Sequence, residues 1–416
     1  MVYNKFKNTY FFWVFIFLLG LISCKDFNAI KNEGIVQNQN VTGEFEKLAV
    51  KKINIATPQD YLKLLKNKQV AIVANQTSVV ENSHGDYVHL VDTLLSLNIA
   101  VKKVFSPEHG FRGKADAGEA VADSKDANTG LPIISLHGKN RKPQKEQLQD
   151  IDIVIFDIQD VGVRFYTYIS TLHYVMESCA ENNIPLIVID RPNPNANYID
   201  GPLLEKEHKS FLGMHPVPIV YGMTIGEYAQ MINGEKWLKN SVQCDITVMK
   251  LGNYKHNSPY SLPIKPSPNL PNDKAINLYP SLGLFEGTSI NIGRGTNMQF
   301  QIFGAPFLNE AEFPFSYTPR PNVGAKNPKF KDKVCYGLDL RNEEELNFID
   351  LEWLIKAYKA TPKDKEFFQG TFTAHAGTKK LQQQIESGMT SQEIRATWKK
   401  GLEDFKKIRK KYLLYN

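Results

Sequence analysis

Glu108 and His109 stand side by side in the stretch VFSPEHGFRG, just after an apolar run, with Gly110 and Gly113 flanking Phe111 and Arg112. A carboxyl at such a turn can protonate the leaving oxygen of a glycoside. A second carboxyl can then activate water, attack the sugar or stabilise the oxocarbenium-like transition state. Glu108 is read as the acid, against the alternative of a salt-bridged strand end. His109 is a proton shuttle or an orienting donor. For the second carboxyl the candidates are, in order, Asp160 in DIQDVGVRF, Asp190 in DRPNP and Glu286 in LFEG. Each has a plainer reading: Asp190 caps its proline turn, Glu286 organises a loop, and Asp157, unlike the more exposed Asp160, is a buried strand residue. Ligand contacts are expected from Arg112, Arg164, Tyr166, Asp190, Arg191, Asn193, Asn269 and Arg294. Phe111, Phe165, Tyr166, Tyr168 and Tyr221 either stack on a sugar face or belong to the core.

These residues need a scaffold that gathers them. Short apolar runs, QVAIVAN, AVKKVFS, LPIIS, IDIVIFD and IPLIVID, alternate with helical patterns such as YVHLVDTLLSLN and YISTLHYVMESCAENN, where Ile169, Leu172, Val175 and Met176 share one face. That alternation predicts an α/β fold with a mostly parallel sheet covered on both faces. Ligands bind such sheets at the carboxyl ends of the strands, where Glu108, His137, Asp157, Gln159, Asp160, Arg164 and Asp190 are placed. Thr224 and Glu227 form a capping box, and Ser391 is the expected N-cap of a long C-terminal helix. IKPSPNLPNDKAINLYPSLG reads as an irregular loop or crossover, and the last hundred residues as a smaller mixed α/β unit.

No GxGxxG follows the first strand, no GxxxxGK[ST] occurs, and IGRGT lacks a third glycine, so no nucleotide is implied. The net charge of +6 is spread over 416 residues, and basic residues near the C-terminus alternate with carboxylates. That is a solvated helix face and not a nucleic-acid stripe. No metal-ligand spacing or cofactor motif is present. Cys179, Cys244 and Cys335 are isolated and read as small core residues.

The first 23 residues carry a basic start and an apolar stretch too short for a comfortable span, ending LISC. Leu21, Ser23 and Cys24 resemble a bacterial lipobox, which makes Cys24 the expected lipidation site and 1–23 a signal peptide. Residues 24–50 are polar and read as a tether, 51–265 as the main domain and 266–416 as the smaller one. The expected address is a lipid anchor facing the periplasm or on the outer membrane.

FSPEHGFRG, DIQDVGVRFYTY, DRPNP, PIVYGMTIGE, PSPNLPN, YPSLGLFEGTSINIGRGT and the terminal YLLY occur in that order from about residue 51 onward. Together they resemble the exo-β-N-acetylmuramidases of glycoside hydrolase family 171. The resemblance implies a Rossmann-like domain joined to a smaller α/β domain with the active site between them. It also implies release of terminal N-acetylmuramic acid from peptidoglycan-derived muramyl saccharides, and a catalytic glutamate at Glu108. That sugar carries a lactyl carboxylate, which an arginine fork reads best. Arg294, between two glycines, is the first choice and Arg164 the second, although Arg164 can instead pair with Asp160, while Arg191 braces its proline turn. The competing reading is a cell-wall-binding lipoprotein without catalysis. An esterase is disfavoured because no GxSxG elbow occurs.

Overall fold

The computed structural model describes residues 52–108, 110–112 and 123–415. Its strands are β1 (Gln69–Ala74), β2 (Val79–Glu81), β3 (Tyr87–His89), β4 (Ala100–Ser106), β5 (Ser124–Lys125), β6 (Pro132–Ser135), β7 (Ile153–Asp157), β8 (Leu186–Ile189), β9 (Ile246–Met249), β10 (Ile302–Ala305), β11 (Phe315–Tyr317) and β12 (Cys335–Asp339). The main sheet runs β5-β6-β4-β1-β7-β8-β9. Its neighbours are parallel except β5 with β6. The chain lays β4 and β6 on one side of β1, then returns to add β7, β8 and β9 on the other. That reversal is the Rossmann-like switch, and it leaves a crevice outside the carboxyl ends of β1 and β7.

Both faces of this sheet are buried, which is why the strands read as unbroken apolar runs. Val70 and Ile72 join Ile155 and Ile187 in one core, while Ala71 and Val73 join Phe156 and Val188 in the other. The second core continues without a break into the smaller part of the protein, taking in Phe285, Phe303, Leu354 and Phe405. There β10, β12 and β11 form an antiparallel sheet. Cys179, Cys244 and Cys335 are buried free thiols, and no helix among the described residues is long and apolar enough to cross a membrane.

The helix Tyr168–Glu181 buries Ile169, Leu172, Val175 and Met176 as the pattern predicts, and Thr224 and Glu227 make their reciprocal cap on Ile225–Gly234. Three local readings change. Tyr87–His89 is a strand paired with Val79–Glu81, so the helix begins only at Leu90, with the His89 ring accepting from the Val91 amide. Residues Asp273–Leu282 are helical despite Pro280. Asn272 caps that helix by accepting from the Ala275 amide at 2.9 Å, and a proline in the last turn forfeits one backbone bond without preventing the turns before it. The long C-terminal helix is capped by Thr390, with Ser391 its first helical residue. The last hundred residues hold β12 and then helices, in keeping with the mixed α/β unit expected there.

The C-terminal segment returns to the main sheet. Arg409 Nε donates to the Gly222 carbonyl at 2.8 Å, the Leu414 amide to Glu227 Oε1 at 2.7 Å, and the Tyr415 hydroxyl to Asp190 Oδ2. The YLLY motif therefore locks the end of the chain to the strand-bearing half.

Candidate active site

The crevice is built from the loops that follow β1, β4 and β7. Two of them are tied together, since the Gln159 amide donates to Thr77 Oγ1 at 3.0 Å and the Ser78 hydroxyl donates to the Asp157 carbonyl. Glu108 follows β4 by two residues and is half-buried. Thr167, at the N-terminal boundary of Tyr168–Glu181, makes no side-chain cap. Its hydroxyl donates instead to Glu108 Oε2 at 3.1 Å. A capping residue has thus been diverted to hold a carboxyl.

The opposite wall comes from the smaller part. Glu286 lies in the 3₁₀ turn Gly283–Gly287. Arg294 stands between Gly293 (φ 75°) and Gly295 (φ 83°), both left-handed, so the backbone folds sharply around it. Its Nη2 pairs with Glu286 Oε1, and His375 Nε2 lies 3.6 Å from Glu286 Oε2. Burial pushes Glu286 up, but Arg294 and His375 outweigh it and hold the carboxyl at about 2. Lys329 Nζ binds the carbonyls of Glu286, Thr288 and Ile290 at 3.2, 2.5 and 3.4 Å and fixes the course of this loop. Burial lowers the Lys329 ammonium to about 8.

Glu108, Tyr166, Asn269, Glu286 and Arg294 therefore line one cleft. Edge-to-face rings support it: Tyr166 on Tyr168 at 4.8 Å, and Tyr279 on Phe300 at 4.8 Å. The space between the walls is narrow, about 90 Å³, well below the ~300 Å³ where ligand pockets usually begin.

Among the described residues, the other expected site residues do not line this cleft. Arg164 is fully buried. It does not pair with Asp160: its Nη1 donates to the carbonyls of Pro202 and Val217 at 2.8 and 2.7 Å, and its Nη2 to those of His375 and Ala376 at 3.1 and 2.7 Å. Arg191 meets Asp157 through two bonds, Nε–Oδ1 at 2.5 Å and Nη2–Oδ2 at 2.9 Å. Asp160 is only 3 % exposed, against its reading as the exposed carboxyl. Its Oδ2 accepts from the Gly162 amide at 2.7 Å and from the Tyr221 hydroxyl, and burial pushes it up to about 6. Asp190, likewise pushed by burial to about 6, accepts from the Thr224 hydroxyl and the Gly226 amide, each at 2.8 Å. Asn193 Nδ2 donates to the Met223 carbonyl at 2.8 Å. Arg112 pairs with Asp126 at 2.9 Å and lies over the buried Phe111 ring at 4.5 Å. His109 and Cys24 lie outside the described residues.

Sequence reasoning missed Thr167, His375 and Lys329. Thr167 lies inside the quoted RFYTY stretch and was legible as a hydroxyl beside candidate residues. Lys329 and His375 stand in segments without a motif, and only the fold brings them to Glu286.

Glu108, at a strand end, and Glu286 share an aromatic-walled cleft of an α/β fold, and glycoside hydrolysis is chemistry that uses two carboxyl groups. The family profiles "Exo-beta-N-acetylmuramidase NamZ, N-terminal" and "C-terminal" match residues 70–274 and 277–415. The chain belongs to this NamZ family. It is 38% identical over 422 residues to "Peptidoglycan beta-N-acetylmuramidase NamZ" of Bacillus subtilis (strain 168), covering 97% of this chain and 99% of that protein. Two DUF1343 family crystal structures from Bacteroides fragilis share the fold. One is 44% identical with a TM-score of 0.81 and the other 29% identical with a TM-score of 0.73, each alignment covering 88% of this chain and 99% of the other.

Proposed function

We propose that the protein removes terminal β-N-acetylmuramic acid from the non-reducing ends of peptidoglycan fragments, with Glu108 as general acid and Glu286 as its ionised partner. The observation that carries the division of labour is the environment of Glu286. A carboxyl held at about 2 by Arg294 and His375 has no proton to give at neutral pH. It can stabilise positive charge on the sugar ring, attack it or activate water. The proton for the leaving oxygen then falls to Glu108, which reaches the same cleft from the other wall. Arg294 also supports recognition of the lactyl carboxylate. One edge of its guanidinium is occupied by Glu286, while Nε has no hydrogen-bond partner among the described residues. Arg164, with both terminal nitrogens committed to backbone carbonyls, is not available for that task.

Incubation with a chromogenic N-acetylmuramic acid glycoside tests this reading. Release of the aryl group is expected. A folded protein that binds muramyl saccharides without turning them over would instead be a cell-wall-binding lipoprotein. Its address is proposed from LISC: a lipid on Cys24 places the enzyme on a membrane surface facing cell-wall fragments. Cys24→Ala is expected to release the protein from the membrane fraction or to block its processing. A variant that stays membrane-bound with unchanged mass contradicts the anchor.

A further inference from the structure

The loop that carries Glu286 divides its peptide groups between two kinds of partner. Gly287, Ser289 and Asn291 pair with neighbouring backbone. The Gln369 amide donates to the Gly287 carbonyl and the Ser289 amide to that of Phe367, each at 2.8 Å, and Asn291 exchanges bonds of 2.9 and 2.8 Å with Gly304. The alternate carbonyls, those of Glu286, Thr288 and Ile290, converge instead on Nζ of Lys329. The backbone of Lys329 is held too. Asn291 Nδ2 donates to the carbonyls of Arg294 and Lys329 at 3.1 and 3.0 Å, and so ties the lysine to the arginine that pairs with Glu286.

Three acceptors on one nitrogen require three N–H donors. An ammonium has three and no lone pair, whereas the neutral amine has two and turns its lone pair towards the third oxygen. Lys329 bonds the Glu286 carbonyl and not its carboxylate, so it acts through the course of the loop. Burial lowers its ammonium to about 8 against the pull of Glu286, and Arg294 adds to the lowering. The other charged groups around it are Lys333, Lys365 and Glu366, which line a groove of about 750 Å³ together with Lys329 and Ser289. Glu286 lines the cleft and not this groove. The lysine proton therefore exchanges with solvent away from the sugar.

We infer that Lys329 is the positioning residue for Glu286 and holds it only as an ammonium, so that turnover falls at alkaline pH when the loop loses one of its three donors. This inference rests on Glu286 being the ionised partner in the reaction and adds the residue that governs its placement.

The test is the pH dependence of kcat and KM for a dinitrophenyl N-acetylmuraminide. Its leaving oxygen departs without a proton, which takes the protonation of Glu108 out of the profile. Wild-type kcat is expected to fall above about pH 8 with KM little changed. Lys329→Met removes all three donors and is expected to lower kcat about 10–10²-fold at neutral pH, with no further alkaline fall. Lys329→Arg stays charged throughout this range, so it is expected to retain more of kcat than Lys329→Met and to lose the fall near pH 8. A fall near pH 8 that persists in folded Lys329→Met overturns the inference. A wild-type profile flat to about pH 10, where an ordinary lysine titrates, overturns it without recourse to a variant. A wild-type protein inert towards the muraminide at every pH would overturn the muramidase reading and this inference with it, an outcome distinct from a fall that ignores Lys329.

Discussion

Glu108 and Glu286 reach the same cleft from scaffolds of different kinds. Glu108 stands at the end of a parallel strand, half-buried, with a neutral threonine hydroxyl at 3.1 Å. Glu286 sits in a 3₁₀ turn braced by Arg294, His375 and Lys329. Asp160 supplies the contrast: it is buried more deeply than Glu286, and it meets a hydroxyl and an amide in place of cations. Burial alone lifts Asp160 to about 6, while burial beside a guanidinium leaves Glu286 at about 2. The groups that a buried carboxyl meets thus set the direction in which its environment moves it. The contacts that decide it here come from parts of the chain far apart in sequence.

The sharpest way to break this comparison is to remove the charge from Glu286. Glu286→Gln is expected to lower kcat about 10²–10⁴-fold, the range lost with a catalytic carboxyl. Steady-state kinetics near wild-type values would return Glu286 to a loop-organising role. Arg294→Ala follows. It is expected to cost about 2–5 kcal/mol of transition-state binding for a muramyl substrate, from a stranded lactyl carboxylate and a Glu286 left without its main cation. Turnover of a glucosaminyl analogue should suffer less. An unchanged ratio of the two specificity constants would show that Arg294 serves Glu286 alone.

Asp160 is tested through stability. Its folded-state pKa lies above the ordinary carboxyl value, so the proton it retains favours the folded state below about 3.8. That contribution disappears as pH rises through about 6. Asp160→Asn cannot titrate, so urea unfolding should show the variant gaining roughly 2–3 kcal/mol on the parent between about pH 4 and pH 7. A gain in the opposite direction would mean that Asp160 meets a cation in the folded protein. The smallest effect is expected from Thr167→Val. Loss of one neutral hydroxyl donor to Glu108, about 0.5–1.5 kcal/mol, should reduce kcat by no more than about ten-fold, with KM held.

The alternating apolar runs made the sheet legible, because strands buried on both faces leave an unbroken hydrophobic signature that few other elements copy. The cleft was partly legible for a different reason. Glu108, Glu286 and Arg294 lie in turns rich in glycine and proline, where a charged side chain has few structural duties. Arg164, Arg191, Asp160 and Asp190 follow strands in the same way, yet they turn inward onto carbonyls, amides, hydroxyls and the buried Asp157. Residue type and spacing do not record the direction of a side chain after a strand end. The buried guanidinium of Arg164 shows the point best: its four acceptors come from residues 202, 217, 375 and 376. Gly377, at φ 75°, leaves room for it where a Cβ would lie 2.3 Å from Nη2.

The division of labour between the two walls is tested most directly by the dependence of Glu108→Gln on the leaving group. The variant keeps the shape of the side chain and removes its proton. For the natural disaccharide, whose departing sugar oxygen needs protonation, kcat/KM is expected to fall about 10²–10⁴-fold. For a dinitrophenyl N-acetylmuraminide, whose leaving oxygen departs without a proton, the loss should be small. Equal losses on both substrates, or near wild-type turnover of the disaccharide by folded Glu108→Gln, would contradict the assignment of Glu108 as the acid.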